Sequence, residues 1–387
     1  MPLTPVAVTP SQPDNAAPPA PASPPEVLVP YPPGTRLPTQ WACWLESACT
    51  HLKGTAGVVG FSDGAPGPHA GAGGRAHPNA GPGADGFTVP LVRQGALGTL
   101  TAPGCLETGE PADLAWRDET RLHRLAEQLA RQPYPVHLPR VPLGSPSIAA
   151  LAEAFRGRGW LRTRPTHGSP FIELDPSWAE PVQRFNAGRQ SDFRRASRRA
   201  AQGGELRFEV HAPSPGPALD QLLDDAYDVE ARSWKGAGGT ALAVDPQLGP
   251  FYRRLAHAAA QAGMLRLCFL RIGGRAAAMQ LALQAEGRFW LMKIGYDAAF
   301  ARCSPGQLLM LHTIGHAAAE QLDSFEMLGN AAPWTAGWTQ TLRPFVQVQA
   351  YPASWAGARA VWADAVRAAG ARWRAWTAPP GPEAVPA

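Results

Sequence analysis

Residues 265–309 read LRLCFLRIGGRAAAMQLALQAEGRFWLMKIGYDAAFARCSPGQLL, and the fold is decided by how this stretch is read. Three strand-like runs, Leu265–Ile272, Arg275–Ala285 and Arg288–Tyr296, are separated by Gly273-Gly274 and Glu286-Gly287. Two-residue breaks of this kind join hairpin strands, so the stretch predicts a three-stranded meander. A helix follows, opened by Ser304-Pro305-Gly306. Ser304 fits an N-cap and Pro305 the first helical position. The apolar face of that helix would be Leu308, Leu311, His312, Gly315, Ala318 and Leu322, with His312 a satisfied core histidine. Short strands at Phe325–Leu328 and Phe345–Tyr351 would return to the sheet.

Working outward, Gln190–Gln202 reads as a basic helix, Leu206–His211 as a strand, and Ala218–Lys235 and Leu248–Ala262 as amphipathic helices. The first half alternates more weakly. Leu37–Leu52, Asp113–Gln132 and Ser147–Arg156 predict helices; Phe87–Leu91, Gly95–Leu100, Val136–Val141 and Phe171–Leu174 predict short strands. The class is therefore α/β or α+β, a mixed sheet flanked by helices.

The 387 residues include 40 Gly and 42 Pro, too many for evenly packed domains. Residues 2–33 hold 12 of the Pro, which predicts a disordered tail over 1–34. Residues 54–86 are Gly-rich and predict a disordered insertion. The last residues, from Pro379, should fray. Two lobes remain, 35–175 and 176–355, followed by a C-terminal segment over 356–387. Its helix, Trp355 to Trp376, alternates Trp with Arg. It would pack on the second lobe or lie on a membrane surface.

Composition excludes several classes. There are no heptads, no Gly at every third position and no long apolar span. A net charge of +4 is too small to imply a nucleic-acid partner. Five Cys without a CxxC pair, and no signal-peptide pattern, predict free thiols in the cytoplasm. No metal is expected: His312 and His316 have ligand-like spacing but lack a third ligand. Only Lys53, Lys235 and Lys293 stand against 32 Arg, so each remaining Lys is of interest.

The order meander, helix, strand places a helix N-terminus beside a strand end, where unpaired N–H groups can hold an anion. Gly306 would let a phosphate approach the backbone, with Ser304 and Gln307 beside it and Arg302 adding charge; the alternative is an ordinary helix start. Glu230 is the first general-base candidate, or a solvated helix charge. Asp297 is the second, or a turn cap. The Arg194/Arg195/Arg198/Arg199 cluster would steer an anion or be a solvated face.

Four segments together resemble a known family: Gly295-Tyr296-Asp297 followed by Cys303-Ser304-Pro305-Gly306, the Arg-rich run Ser191–Arg199, Glu230 to Lys235 with Gly238-Gly239-Thr240, and Gly329-Asn330 to Trp338. Over about residues 170–350 the chain is similar to the GNAT acetyltransferase branch associated with bacterial cellulose biosynthesis (CelD/BcsL type), itself akin to Fem-type peptidyltransferases. The resemblance implies tandem GNAT-like lobes, the first degenerate, and transfer from acetyl-CoA or another acyl-CoA to an amine or hydroxyl. The acceptor would be a small molecule or glycan precursor, and membrane association at most peripheral. A backbone N–H near Ile294 would hold the thioester carbonyl, Tyr296 would protonate the departing thiolate, and Lys293 would sit at the reacting strand end. Trp234, Lys235, Asn330 and Trp338 would face the acceptor. The closing segment departs from the family's Gly-Asp-x-Glu-Pro-aromatic-Lys pattern at Asn330, Ala332 and Thr335, losing two carboxylates and a Lys. Two alternatives stay open: a Fem-like transferase using charged tRNA, and a non-catalytic binding protein.

Overall fold

The computed structural model describes residues 26–52, 54, 57–62, 88–233 and 242–377. Its strands are β1 (Val27–Leu28), β2 (Val58–Ser62), β3 (Thr88–Gln94), β4 (Thr99–Thr101), β5 (Val136–Pro142) and β6 (Gly159–Glu173). They continue with β7 (Leu206–His211), β8 (Leu265–Ile272), β9 (Arg275–Ala285), β10 (Arg288–Tyr296), β11 (Ser324–Glu326) and β12 (Thr341–Pro352). The helices are α1 (Ala42–His51), α2 (Cys105–Thr108), α3 (Glu119–Ala130), α4 (Pro146–Phe155) and α5 (Ala187–Ala201). After them come α6 (Pro217–Ala231), α7 (Leu248–Gln261), α8 (Pro305–Ala319), α9 (Pro333–Ala336) and α10 (Trp355–Thr377).

The strands form one mixed sheet in the order β2-β3-β4-β5-β12-β6-β11-β10-β9-β8-β7, with β1 beside β12. The α/β class with a flanked mixed sheet holds. The meander strands β8, β9 and β10 have the bounds read from the sequence. Both of their turns carry positive φ at two successive residues, 56° and 82° at Gly273-Gly274 and 52° and 73° at Glu286-Gly287. That is the twist-matched turn a tight hairpin favours.

Several expectations are corrected. The boundary expected at 175/176 does not divide the sheet: β12, near the C-terminal end, lies between β5 and β6. It pairs antiparallel with both, so each row of strand N–H and C=O groups finds a partner. Strand β6 is far longer than Phe171–Leu174. Gly159–Pro170 pairs with β12, and Phe171–Glu173 pairs with β11. Pro165, Gly168, Pro170 and several Arg conceal its first part, which pairing to β12 holds without an apolar run. The tail 1–34 ends earlier than expected: Val27 N–H donates to the Gln340 carbonyl at 3.0 Å and Val29 N–H to that of Leu342 at 2.9 Å. The insertion 54–86 likewise gives up Val58–Ser62 to β2, paired with β3. The remaining tail residues 1–25, most of the insertion and the last ten residues lie outside the described residues.

Two buried layers cover the sheet. One runs through both lobes, joining Trp44 of α1 to Phe251 of α7 edge-on at 4.9 Å, and Trp41 to Trp290 at 6.1 Å. The other lies on the opposite face, between α5, α8 and the meander. Helix α10 packs on the first-lobe side rather than on the second lobe, where Gln349 and Tyr351 of β12 donate to its Asp364. Among the described residues no helix is long and apolar enough to cross a membrane.

Candidate active site

Strand β10 sets the geometry. Its antiparallel register against β9 slips between Leu291 and Lys293, so Met292 is an extra residue. A bulge reverses the side-chain alternation beyond it. Trp290 and Met292 pack in the inter-lobe layer, whereas Ile294 and Tyr296 pack in the opposite one. Without the bulge all four would share a face. Lys293 is thereby turned to the inter-lobe side, its Nζ 4.6 Å from the centre of the Tyr252 ring.

On its other edge β10 pairs parallel with β11 only from Arg288↔Ser324 to Trp290↔Glu326, although β10 runs on to Tyr296. Beyond β11 the chain turns away through Leu328 and Gly329, at φ 54° and 56°. The ladder therefore ends where Lys293 and Gly329 begin.

Glu110, from the first lobe, sits at that point and is 8% exposed. Burial pushes its carboxyl up to about 7; Lys293, Arg140 and a Gly329 N–H act the other way. Its Oε2 finds no hydrogen-bond partner among the described residues, and neither does the buried Tyr252 hydroxyl. Glu110 contributes to raising that phenol, after burial itself. Arg140 fixes the surroundings: it donates to the Gly109 carbonyl at 2.9 Å, to the Gly329 carbonyl at 2.6 Å and to Ser169 Oγ at 2.7 Å. Orphaned polar atoms at one buried point are where a water or a substrate is expected. A carboxyl near neutrality can take a proton and release it. No sequence motif marks Glu110; only the packing of the first lobe on β10 brings it here.

The other face carries the start of α8. Ser304 is its N-cap residue, but at φ 48° its side chain does not cap the helix, contrary to expectation. A Cβ added at Gly306 would meet only Tyr296 Cδ1, at 3.9 Å. The protein's own packing therefore does not require a glycine there, and Tyr296 and Gly306 are neighbours. Arg302 and Gln307 are exposed, and the Arg302 carbonyl accepts from Arg199 Nη1 at 3.3 Å. Ile294 pairs with Gln280 of β9.

The remaining candidates disperse. Glu230 is no solvated charge: it is 1% exposed, and its Oε2 accepts from the Leu242 N–H at 2.9 Å. A Cβ on Gly295 would stand 3.2 Å from Glu230 Cα, so helix α6 lies directly on β10. Helix α6 stops at Ala231 rather than Lys235, with Ser233 Oγ donating to the Glu230 carbonyl at 2.6 Å. Asp297 is a buried cap: it accepts from the Ala299 N–H at 2.9 Å and from Arg232 Nε at 2.9 Å, and Arg275 lies 3.4 Å away. Trp338 is buried against Phe193 and Phe185, at 6.0 and 5.6 Å, not in a cleft. Asn330 is exposed, and Thr335 caps its own turn through the Ala332 N–H. Exposed His312 stacks on Phe208 at 4.8 Å and is not a core residue. Trp234 and Lys235 lie outside the described residues. Among the described residues no group of His, Cys, Asp and Glu is arranged to hold a metal.

Residues 187–335 match the family model described as an acetyltransferase (GNAT) domain. This segment, which contains β10, α8 and β11, is an acyltransferase domain. No curated protein sequence matches the chain. Solved structures offer distant likenesses. FemX is 10% identical, over 81% of this chain and 91% of its own, at a TM-score of 0.49. The C-terminal DUF2156 domain of a protein described as a lysylphosphatidylglycerol synthetase, from Agrobacterium fabrum, is 16% identical over 72% and 84%, at 0.48. L-PGS from Bacillus licheniformis is 14% identical over 68% and 80%, at 0.44.

Proposed function

We propose that this chain, whose residues 187–335 form a GNAT acetyltransferase domain, transfers an acyl group from an acyl-CoA to an amine or hydroxyl, with Glu110 of the first lobe as its general base. The observation that carries the reading is the seat of Glu110. It is buried, poised near neutrality and missing one hydrogen-bond partner, at the point where β10 and β11 stop pairing.

Direct transfer needs a group to take the proton that the acceptor loses as its new bond forms. The closing segment, with Asn330, Ala332 and Thr335, has no carboxylate for this. Glu110 reaches the same place from the other lobe, against the Gly329 N–H. Lys293 and Arg140 supply positive charge that favours its ionised form, so the site can hold a base at neutral pH. Burial keeps that base strong. The donor's phosphates would lie at the start of α8, where Gly306 leaves the backbone open and the helix N-terminus favours an anion. Tyr296, beside Gly306, would give its proton to the departing thiolate. Glu230 and Asp297 act by position: one holds Leu242 and braces Gly295, and the other caps the loop leading to α8. For the acceptor we favour a sugar or cell-envelope precursor, on the motif resemblance described above.

A thiol-release assay over a panel of acyl-CoAs and amino-sugar or hydroxyl acceptors tests the reading. Acceptor-dependent thiol release that Glu110→Gln removes supports it. Absence of acyl-CoA binding in calorimetry would favour the non-catalytic alternative.

A further inference from the structure

Helix α10 leaves a second feature unexplained. Trp355, Trp362, Val366 and Trp373 are spaced by seven, four and seven residues, and all are exposed. At about 100° per residue they fall within roughly 40° of one another, a single stripe along the helix. Trp355 is 89% exposed and Trp362 is 70%. The opposite side of the helix is the docked one: Ala360 is buried, Asp364 accepts from Gln349 Nε2 at 2.9 Å, and Gly357 packs on Pro352.

The stripe continues into the protein body. A groove of about 530 Å³ between the start of α10, the end of β12 and the start of β6 is lined by Trp355, Val361, Tyr351 and Trp160. Trp160 is itself exposed and stacks on Tyr351 at 5.5 Å. Among the described residues none that lines this groove is acidic. Exposed Arg156 and Arg158 precede it, the Arg158 carbonyl accepting from Ala353 N–H at 2.8 Å, and exposed Arg359 lies one turn beyond Trp355. The one acid of α10, Asp364, faces inward and is occupied by Arg367, Gln349 and Tyr351. An apolar aromatic stripe rimmed by exposed guanidiniums matches one surface chemistry. Indole rings settle at the depth of lipid headgroups, and arginines pair with anionic phosphates.

We infer that this Trp and Arg face binds the surface of an anionic lipid bilayer, with α10 lying in the headgroup plane. The inference is independent of the acyl-transfer reading, since the face and the Glu110 site share no residue.

Flotation of the full chain with vesicles of phosphatidylcholine containing about 30% phosphatidylglycerol tests it. The chain should float with these vesicles and not with pure phosphatidylcholine. Replacing Trp355 and Trp362 together by Ser should weaken binding by roughly 100-fold, as two large apolar groups leave the interface. The triple change Arg156→Gln, Arg158→Gln and Arg359→Gln should weaken it by about 100-fold and remove most of its salt dependence. Each replaced side chain is exposed, so unchanged circular dichroism will show that the variants fold. Failure of the wild-type chain to float with anionic vesicles, or equal flotation of the variants, overturns the inference. So does sedimentation of the wild type as a dimer that the Trp pair variant converts to monomer, which would assign the face to a second copy.

Discussion

Two buried glutamates, one on each side of the point where β10 and β11 part, have opposite surroundings. Glu326 of β11 is fully buried and fully partnered: Arg343 Nη2 donates at 2.8 Å, Ser324 Oγ at 2.8 Å and the Tyr31 hydroxyl at 3.3 Å. Arg343 also lies over the Phe171 ring at 3.4 Å, tying β12 to β6. Glu110 has positive charge nearby but an oxygen with no partner among the described residues, and its carboxyl is pushed up to about 7. The difference separates structure from chemistry. A carboxylate whose lone pairs are all used holds strands together, and one left incomplete where two strands stop pairing can exchange a proton.

Breaking each glutamate should give opposite results. Glu110→Gln should lower acyl-transfer turnover by about 10²–10⁴ while leaving the melting temperature unchanged or raised, because a neutral amide suits the buried position. A large loss of stability in that variant would make Glu110 structural. Glu326→Gln should do the reverse, destabilising the fold by about 3–5 kcal/mol in denaturant titrations by leaving Arg343 as an uncompensated buried charge. Turnover per folded molecule should hold.

Smaller changes sharpen the contrast. Gly306→Val should weaken acyl-CoA binding by at least about 10-fold in calorimetry while the protein still folds, since a side chain there meets only Tyr296. Unchanged affinity would remove the phosphate site from α8. The subtlest readout is pH. Turnover should rise as pH passes about 7 and Glu110 loses its proton. Stability should move the other way. The folded protein binds this proton more tightly than the unfolded chain, so the contribution is complete below the ordinary carboxyl range, about 4.5, and is lost as pH rises through about 7. Glu110→Gln should flatten both curves, and a pH profile identical in wild type and variant would exclude Glu110 as the titrating group.

The meander and its helix were legible because their signals are local. Alternation, two-residue turns and Ser304-Pro305-Gly306 all act within a few neighbours in sequence. The face that Lys293 occupies was not legible, because one extra residue, Met292, reverses it and nothing in LMKIG announces a bulge. The part of β6 before Phe171 was not legible because Gly159–Pro170 has no apolar run and is held by pairing to β12. The sequence offers Glu230 and Asp297 as candidate bases but does not say what their lone pairs already do, which the structure adds.

The sequence by itself determined the α/β class, the order of elements from β7 to α8 and the motifs of an acyltransferase lobe, since each depends on short-range periodicity and turn chemistry. Only the tertiary structure decided that β12 returns to the first lobe and that Glu110 meets Gly329 and Lys293. Those contacts join residues more than 170 positions apart, and burial, which raises the carboxyl of Glu110, belongs to the packed chain and to no segment of it.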